Sequence, residues 1–309
     1  MNQSEAQTNC IAKLNMKRRS FLKQLGFATA LPLLGRATSA PAAEPTARSG
    51  GSHKILSCNV RVDVPQDAKT GDSWAERKDF CADVIHAQKA DLIGLQEAQA
   101  AHLSHLKSRM PEYDSYALSH SATDFHPIDA ILFLRTRYEL ISAGGFWLSE
   151  TPHVAGSTGW DTANPRLANW VHLKERGSGK EFRYWNTHLD HKGQQAREHG
   201  SALIVQAAAV LPKDFPQILS GDMNAAPNNQ AIKNYMDAGW IDTYVAVNGP
   251  KDTGPTAHGF KGPKTESKNK IDWIFCRGLV KPLTSMILRD SRNGHYPSDH
   301  YFLSAEVII

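Results

Sequence analysis

From about residue 54 to its end, the chain alternates short apolar runs with longer segments that carry apolar residues on one face only. Nine runs predict strands: I-L-S-C-N-V (55–60), D-L-I-G-L-Q-E (91–97), D-A-I-L-F-L (129–134), G-F-W-L-S (145–149), N-W-V-H-L (169–173), F-R-Y-W-N-T-H-L (182–189), Q-I-L-S-G-D (217–222), K-I-D-W-I-F-C (270–276) and Y-F-L-S-A-E-V (301–307). Helical spacing joins Trp74, Arg77, Cys81, Val84, Ile85 and Gln88, and again Leu203, Ile204, Ala207, Ala208 and Leu211. Several strands are apolar on both faces, as in a sheet covered on each side, so two facing sheets with helices outside suit the pattern. The stretch 171–189 predicts a hairpin turning on Gly177, Ser178 and Gly179. A plain parallel-sheet α/β fold is the alternative; the hairpin and the consecutive strands from 129 to 189 argue against it.

The first residues follow another pattern. K-R-R-S-F-L-K (17–23) precedes the apolar L-G-F-A-T-A-L-P-L-L (25–34), which is too short to span a bilayer, and small residues follow at 37–43. Arg18 and Arg19, with Phe21, Leu22 and Lys23 behind them, resemble a bacterial twin-arginine leader. The expected organisation is a signal peptide over 1–43, a linker over 44–53 and one catalytic domain over 54–309. Export by the twin-arginine translocase to the periplasm or beyond follows, with a monomer as product and no stable membrane span.

Removing the leader changes the charge. Of the 35 Lys and Arg, six lie in residues 1–43 against one of the 31 acids, so the 29 bases and 30 acids left nearly cancel. Net charge therefore gives no argument for a polyanionic partner. Cys58, Cys81 and Cys276 have no metal or disulfide spacing and read as buried thiols.

Polar residues gather where apolar runs end: Asn59, Glu97, His188, Asp222 and Asn224 in S-G-D-M-N, Asp272 in K-I-D-W, and Asp299 with His300 in P-S-D-H. On a continuing strand Asp222 and Asn224 would share a face. Singly these are ordinary, since Asp-x-Asn before proline is a turn element and a lone Asp272 a satisfied buried acid. Together they supply oxygens for a hard divalent cation and imidazoles for phosphoryl oxygens.

The ordered set resembles the endonuclease/exonuclease/phosphatase superfamily, G-D-M-N and S-D-H being its most telling pieces, over roughly residues 54–309. The resemblance implies an α/β fold, a four-layer α/β/β/α sandwich of two mainly antiparallel sheets packed face to face. It further implies Mg²⁺-dependent, or Mn²⁺-dependent, hydrolysis of a phosphate ester, nucleic acid among the candidates. The leading expectation is a phosphodiesterase or nuclease-like enzyme outside the cytoplasm. The alternatives are a phosphomonoesterase, a sphingomyelinase-like lipid phosphodiesterase and a binding module without turnover. Asn59, Glu97 and Asp299 are the expected metal residues. His188, Asp222, Asn224, Asp272 and His300 are the expected catalytic ones: Asp222 for the attacking water, Asn224 to hold it or a phosphate oxygen, His300 on the phosphate with Asp272 behind it, and His188 for developing charge.

Weaker signals remain. Asp190 and His191 could extend His188 into a metal cluster, though a supporting role fits Asp190 better. Arg197 reads equally as a phosphate contact or a solvated charge. Trp147, Trp160, Trp170 and Trp185 read as packing rather than groove residues. The run K-G-P-K-T-E-S-K-N-K (261–270) is either a polyanion contact or a solvated loop.

Overall fold

The computed structural model describes residues 51–118 and 128–309. The expected leader, with Arg18 and Arg19, lies outside the described residues. Twelve strands among them form two six-stranded sheets. The first has the order β11-β12-β1-β2-β4-β3, built from β1 (Ser52–Asn59), β2 (Leu92–Gln96), β3 (Tyr113–Tyr116), β4 (Ile131–Leu134), β11 (Lys281–Leu288) and β12 (Phe302–Ile308). The second has the order β5-β6-β7-β8-β10-β9, from β5 (Tyr138–Trp147), β6 (Leu167–Glu175), β7 (Glu181–His188), β8 (Gln217–Asp222), β9 (Ile241–Asp242) and β10 (Asp272–Arg277). Each sheet holds one parallel pair, β1 with β2 and β7 with β8; the other pairs are antiparallel.

Alternation along the inner strands shows why both faces are apolar. Tyr184, Ile218 and Ile274 join the core shared with the first sheet, whereas their neighbours Trp185, Leu219 and Phe275 join a second core with Ile204 and Tyr235. Those last two lie on the outer helices α3 (Gln194–Ala208) and α4 (Gln230–Asp237). On the first sheet's side, α1 (Trp74–Ala87) buries Trp74, Arg77, Cys81, Val84 and Ile85, the face read from spacing. Ser73 and Glu76 form a capping box that fixes its start. Helix α2 (Ala100–Arg109) packs beside it, and α5 (Thr243–Asn248) lies against β11. No helix among the described residues is long and apolar enough to cross a membrane.

Near one end the two sheets meet through polar groups. Gln96 Nε2 donates to Asn186 Oδ1 at 2.7 Å, and Asn186 Nδ2 donates to the carbonyls of Leu95 (2.8 Å) and Ala130 (3.1 Å). Gly94 permits this approach, because a Cβ there would stand 2.3 Å from Ser220 Oγ and 2.5 Å from Asn186 Oδ1. The three cysteines are free and buried.

The predicted hairpin is present as β6 and β7. Strands β3 and β9 carry no apolar run of their own, and β11 has one only over its last three residues, 286–288. Helix α3 begins at Gln194, nine residues before the periodicity at Leu203, because side chains fix its start: Asp161 accepts from Ala196 N at 2.7 Å and Gln195 N at 3.2 Å. Strand β1 begins at Ser52, inside the stretch expected as linker.

Candidate active site

Strand register gathers the polar residues. Asn59 ends β1, Glu97 follows β2, His188 ends β7, Asp222 ends β8 and Asp272 opens β10. Parallel pairing sets His188 opposite Asp222, and antiparallel pairing sets Asp272 opposite Asp222 on its other side. Asp299 and His300 arrive just ahead of β12, whose partner β1 delivers Asn59.

The side chains then join. Asn59 Nδ2 donates to Glu97 Oε1 and to Asp222 Oδ2, each at 3.0 Å, while its Oδ1 accepts from Arg61 N at 2.9 Å. Glu97 Oε2 accepts from Val62 N at 2.8 Å. His188 Nε2 lies 3.3 Å from Asp222 Oδ2 and 3.0 Å from Asn224 Nδ2. His300 places Nδ1 2.9 Å from Asp272 Oδ2 and Nε2 3.9 Å from Asp222 Oδ2. Asp299 Oδ2 lies 3.5 Å from Arg61 Nη1. Of the eight expected residues, Glu97, His188, Asp222, Asn224, Asp299 and His300 line one cavity of about 560 Å³. Asn59 and Asp272 are buried behind it, holding Glu97, Asp222 and His300 in place.

One expected reason gives way to another. Asn224 lies beyond the end of β8 with a φ of 46°, so strand alternation does not bring it to Asp222. The link is a local turn in which Asp222 Oδ1 accepts from Asn224 N at 2.9 Å. Glu97 and Arg61 share this left-handed backbone, with φ of 60° and 57°, a costly state for residues with a Cβ and one that clusters where function fixes the geometry.

Electrostatics separate the two imidazoles. Burial, then the charge of Arg166, drives His188 well below its ordinary range, so it is neutral and accepts from Asn224. Burial also lowers His300, but Asp272, by charge and hydrogen bond, outweighs it and raises His300 well above the usual range. Burial pushes Glu97 upward, and the bonds from Val62 N and Asn59 Nδ2 with the charge of His300 overcome it to keep Glu97 ionised. Burial and the Asp272 charge push Asp222 up to about 7, burial pushes Asp129 up to about 8, and burial raises Asp299. Carboxyls so displaced mark a surplus of buried negative charge that a divalent cation would offset. Ligand atoms of Glu97, His188 and Asp222 lie within 4.8 Å of one another, as do those of Asp222, Asp272 and His300. With Asp299 on the same cavity, this oxygen-rich set fits a hard divalent ion.

The cavity also holds Arg61, Asp129, Asn164 and Arg166, which no strand-end reading singled out. Pairing was the available signal: Ala168 lies opposite Thr187, which puts Leu167 opposite His188 and Arg166 one residue past it. Asp129 follows in the same way from the pairing of Gly94 with Ile131.

The weaker readings resolve. Asp190 is buried and accepts from the backbone N–H of Ala163, Asn164, Lys192 and Gly193, supporting the loops around His188. Arg197 is half-buried and off the cavity; it donates to Asp190 O at 2.9 Å and Gln194 Oε1 at 2.7 Å. Trp185 and Trp147 are buried, Trp170 stacks under Arg183, and Trp160 stacks on His199. Lys270, in the expected basic loop, is buried and pairs with Asp242 at 2.7 Å, which removes it from any solvated face.

Similarity to known proteins coincides with this geometry. Residues 56–300 match the Endonuclease/Exonuclease/phosphatase family. An endonuclease/exonuclease/phosphatase family protein from Bacteroides thetaiotaomicron is 29% identical with a TM-score of 0.77, over 83% of this chain and 97% of that one. A mannosyl-6-phosphatase of the same organism is also 29% identical, with a TM-score of 0.76, over 83% of this chain and 100% of that one. An uncharacterized protein of Acanthamoeba polyphaga mimivirus, L388, is 25% identical over 180 residues, 55% of this chain; the alignment spans 66% of the viral protein.

Proposed function

Because the chain belongs to the Endonuclease/Exonuclease/phosphatase family, we propose that it is a divalent-metal-dependent phosphoester hydrolase. The observation that carries the reading is the meeting of Glu97, Asp222, His188 and His300 from four separate segments at one cavity, with Asp272 behind His300. The likeness to a mannosyl-6-phosphatase supports phosphate-ester hydrolysis.

Glu97 and Asp299 would hold Mg²⁺ or Mn²⁺, with Asn59 fixing the Glu97 carboxylate by its amide. The bound ion supplies a Lewis acid for charge on the phosphoryl oxygens. Asp222 orients the attacking water and accepts its proton, its carboxylate held by Asn59 Nδ2 and the Asn224 N–H. The water oxygen bonds to phosphorus as the ester P–O bond breaks and the alcohol takes a proton. His300, kept protonated by Asp272, donates from Nε2 to a phosphoryl oxygen. Asn224 holds the neutral, buried His188 ring in the wall of the cavity. The proposal includes action outside the cytoplasm, resting on the twin-arginine pattern at Arg18 and Arg19.

The test is hydrolysis of p-nitrophenyl phosphate and bis-p-nitrophenyl phosphate with Mg²⁺ or Mn²⁺, with EDTA as control. Glu97→Gln and His300→Ala are each expected to lower turnover by roughly 10²–10³-fold, as the loss of one preorganised group does. Full activity in both variants, or activity indifferent to EDTA, would sink the reading.

A further inference from the structure

We propose that Arg166 and His191 form the specificity subsite of this centre, selecting phosphate monoesters, whose phosphoryl group is a dianion, over diesters. The inference rests on the phosphoester-hydrolase reading above and names the substrate class of the same cavity.

The cavity has two arginines, and one is tied more tightly to acids than the other. Arg61 is committed to carboxylates, with Nε 2.9 Å from Asp67 Oδ2 and Nη1 3.5 Å from Asp299 Oδ2. Arg166 is held differently. Its Nε lies 3.6 Å from Asp190 Oδ2 and is buried without a hydrogen-bond partner among the described residues. Asp190 already accepts from four backbone N–H groups, so it fixes the guanidinium in place while its lone pairs are spent elsewhere. Arg166 Nη2 lies 3.3 Å from His191 Nδ1. A guanidinium only donates, so His191 Nδ1 accepts and its proton sits on Nε2, a second donor on the same wall. The Arg166 side chain is 11% exposed and His191 42%, so the pair spans the cavity from its depth to its mouth.

Charge decides what such a wall is for. A phosphate monoester loses its second proton near pH 6 and carries close to two negative charges at neutral pH on three terminal oxygens; a diester carries one on two. Beside Glu97, Asp222, Asp299 and Asp129, the extra charge is repelled unless a fixed cation meets it. Arg166 stands close enough for its charge to act on both His188 and Asp129. A planar guanidinium already held by its neighbours suits a phosphate edge and loses little entropy on binding. In a diester the third oxygen bears a second carbon, which accepts poorly and would strip water from the cation without replacement.

The test compares kcat/KM of the Mg²⁺-loaded enzyme for p-nitrophenyl phosphate and bis-p-nitrophenyl phosphate, together with the affinity for inorganic phosphate. In Arg166→Gln the monoester-to-diester ratio is expected to fall at least about tenfold and phosphate binding to weaken by about tenfold, the 1.4 kcal/mol worth of one charge-assisted contact. Arg166→Lys recovers part of the ratio, and the exposed His191→Ala lowers it about threefold without threatening the fold. An unchanged or rising ratio in Arg166→Gln, or equal losses on both esters, overturns the subsite. Should the unaltered protein hydrolyse neither ester, the hydrolase reading falls, and phosphate titration alone judges the subsite: equal affinity in Arg166→Gln refutes it.

Discussion

Asp222 shows how one residue can work against the fold that holds it. Its carboxyl sits between His188 and Asp272, accepts from Asn59 and the backbone of Asn224, and is pushed up to about 7 by burial and the Asp272 charge. The native state therefore keeps a proton that the unfolded chain releases near pH 4, so metal-free stability falls as pH rises from about 4 through 7. Asp222→Asn removes that charge and is expected to raise the melting temperature of the metal-free protein at pH 8 by roughly 2–4 °C, what about 1 kcal/mol gives a domain of this size. Hydrolysis in the same variant falls by roughly 10³-fold. A lower melting temperature in calorimetry at pH 8 would contradict this. Asp222 was legible because a polar residue ending an apolar run stands out. Arg166 was not, since a charged residue before a strand looks like any strand flank, and only the hairpin register places it.

At the scale of elements, α1 does more than cover a sheet. From its first turn, Arg77 donates to the carbonyls of Val60 (2.6 Å), Arg61 (2.6 Å), Asp72 (3.0 Å) and Pro297 (3.1 Å), joining the loop after Asn59 to the loop before Asp299. Arg77→Met takes that donor from the carbonyls of Val60, Asp72 and Pro297, while Arg61 O keeps His102 Nε2 at 3.1 Å. Urea unfolding is expected to show a loss of roughly 2–4 kcal/mol, at about 1–3 kcal/mol for each orphaned group with partial rearrangement. Turnover below the transition is expected to drop about tenfold or more as the two loops drift apart. Wild-type turnover in a destabilised variant would show that the helix braces the fold and not the site. Helical spacing marked Arg77 as an inward residue, but spacing does not say what a buried guanidinium grips. The unforeseen strands have a common cause: β3 and β11 are the edges of one sheet and β9 an edge of the other, while β5, the remaining edge, was read only from residue 145. An edge shows one side to solvent, so it needs no continuous apolar run; β11 leaves Lys281, Leu283, Thr284 and Met286 exposed.

At the scale of the molecule, the end of the sheets away from the cavity is fastened by another buried polar group. His53 on β1 lies 2.7 Å by Nδ1 from Tyr138 OH, and Arg137 pairs with Asp91 at 2.8 Å and Glu175 at 2.6 Å, so both sheets share one network. Burial, then the Arg137 charge, lowers His53 to about 4. The unfolded chain takes up a proton near pH 6.5 that the native state refuses until about 4; this contribution is complete above 6.5 and lost as pH falls toward 4. Urea unfolding of His53→Gln between pH 4.5 and 6 is expected to give a shallower pH dependence, by up to about 1.4 kcal/mol per pH unit, the worth of one proton. An identical slope in both proteins would place the titration elsewhere. The first sheet also seats β12 beside β1, with Ser52 opposite Ile308. On the ribosome, β1 must therefore wait, one side unpaired, until β12 has emerged behind the other eleven described strands. Asp299 and His300 come just before that closing strand, so the candidate site is complete only as the seam closes, and a nascent chain halted before Phe302 is left with an open seam through the middle of its first sheet.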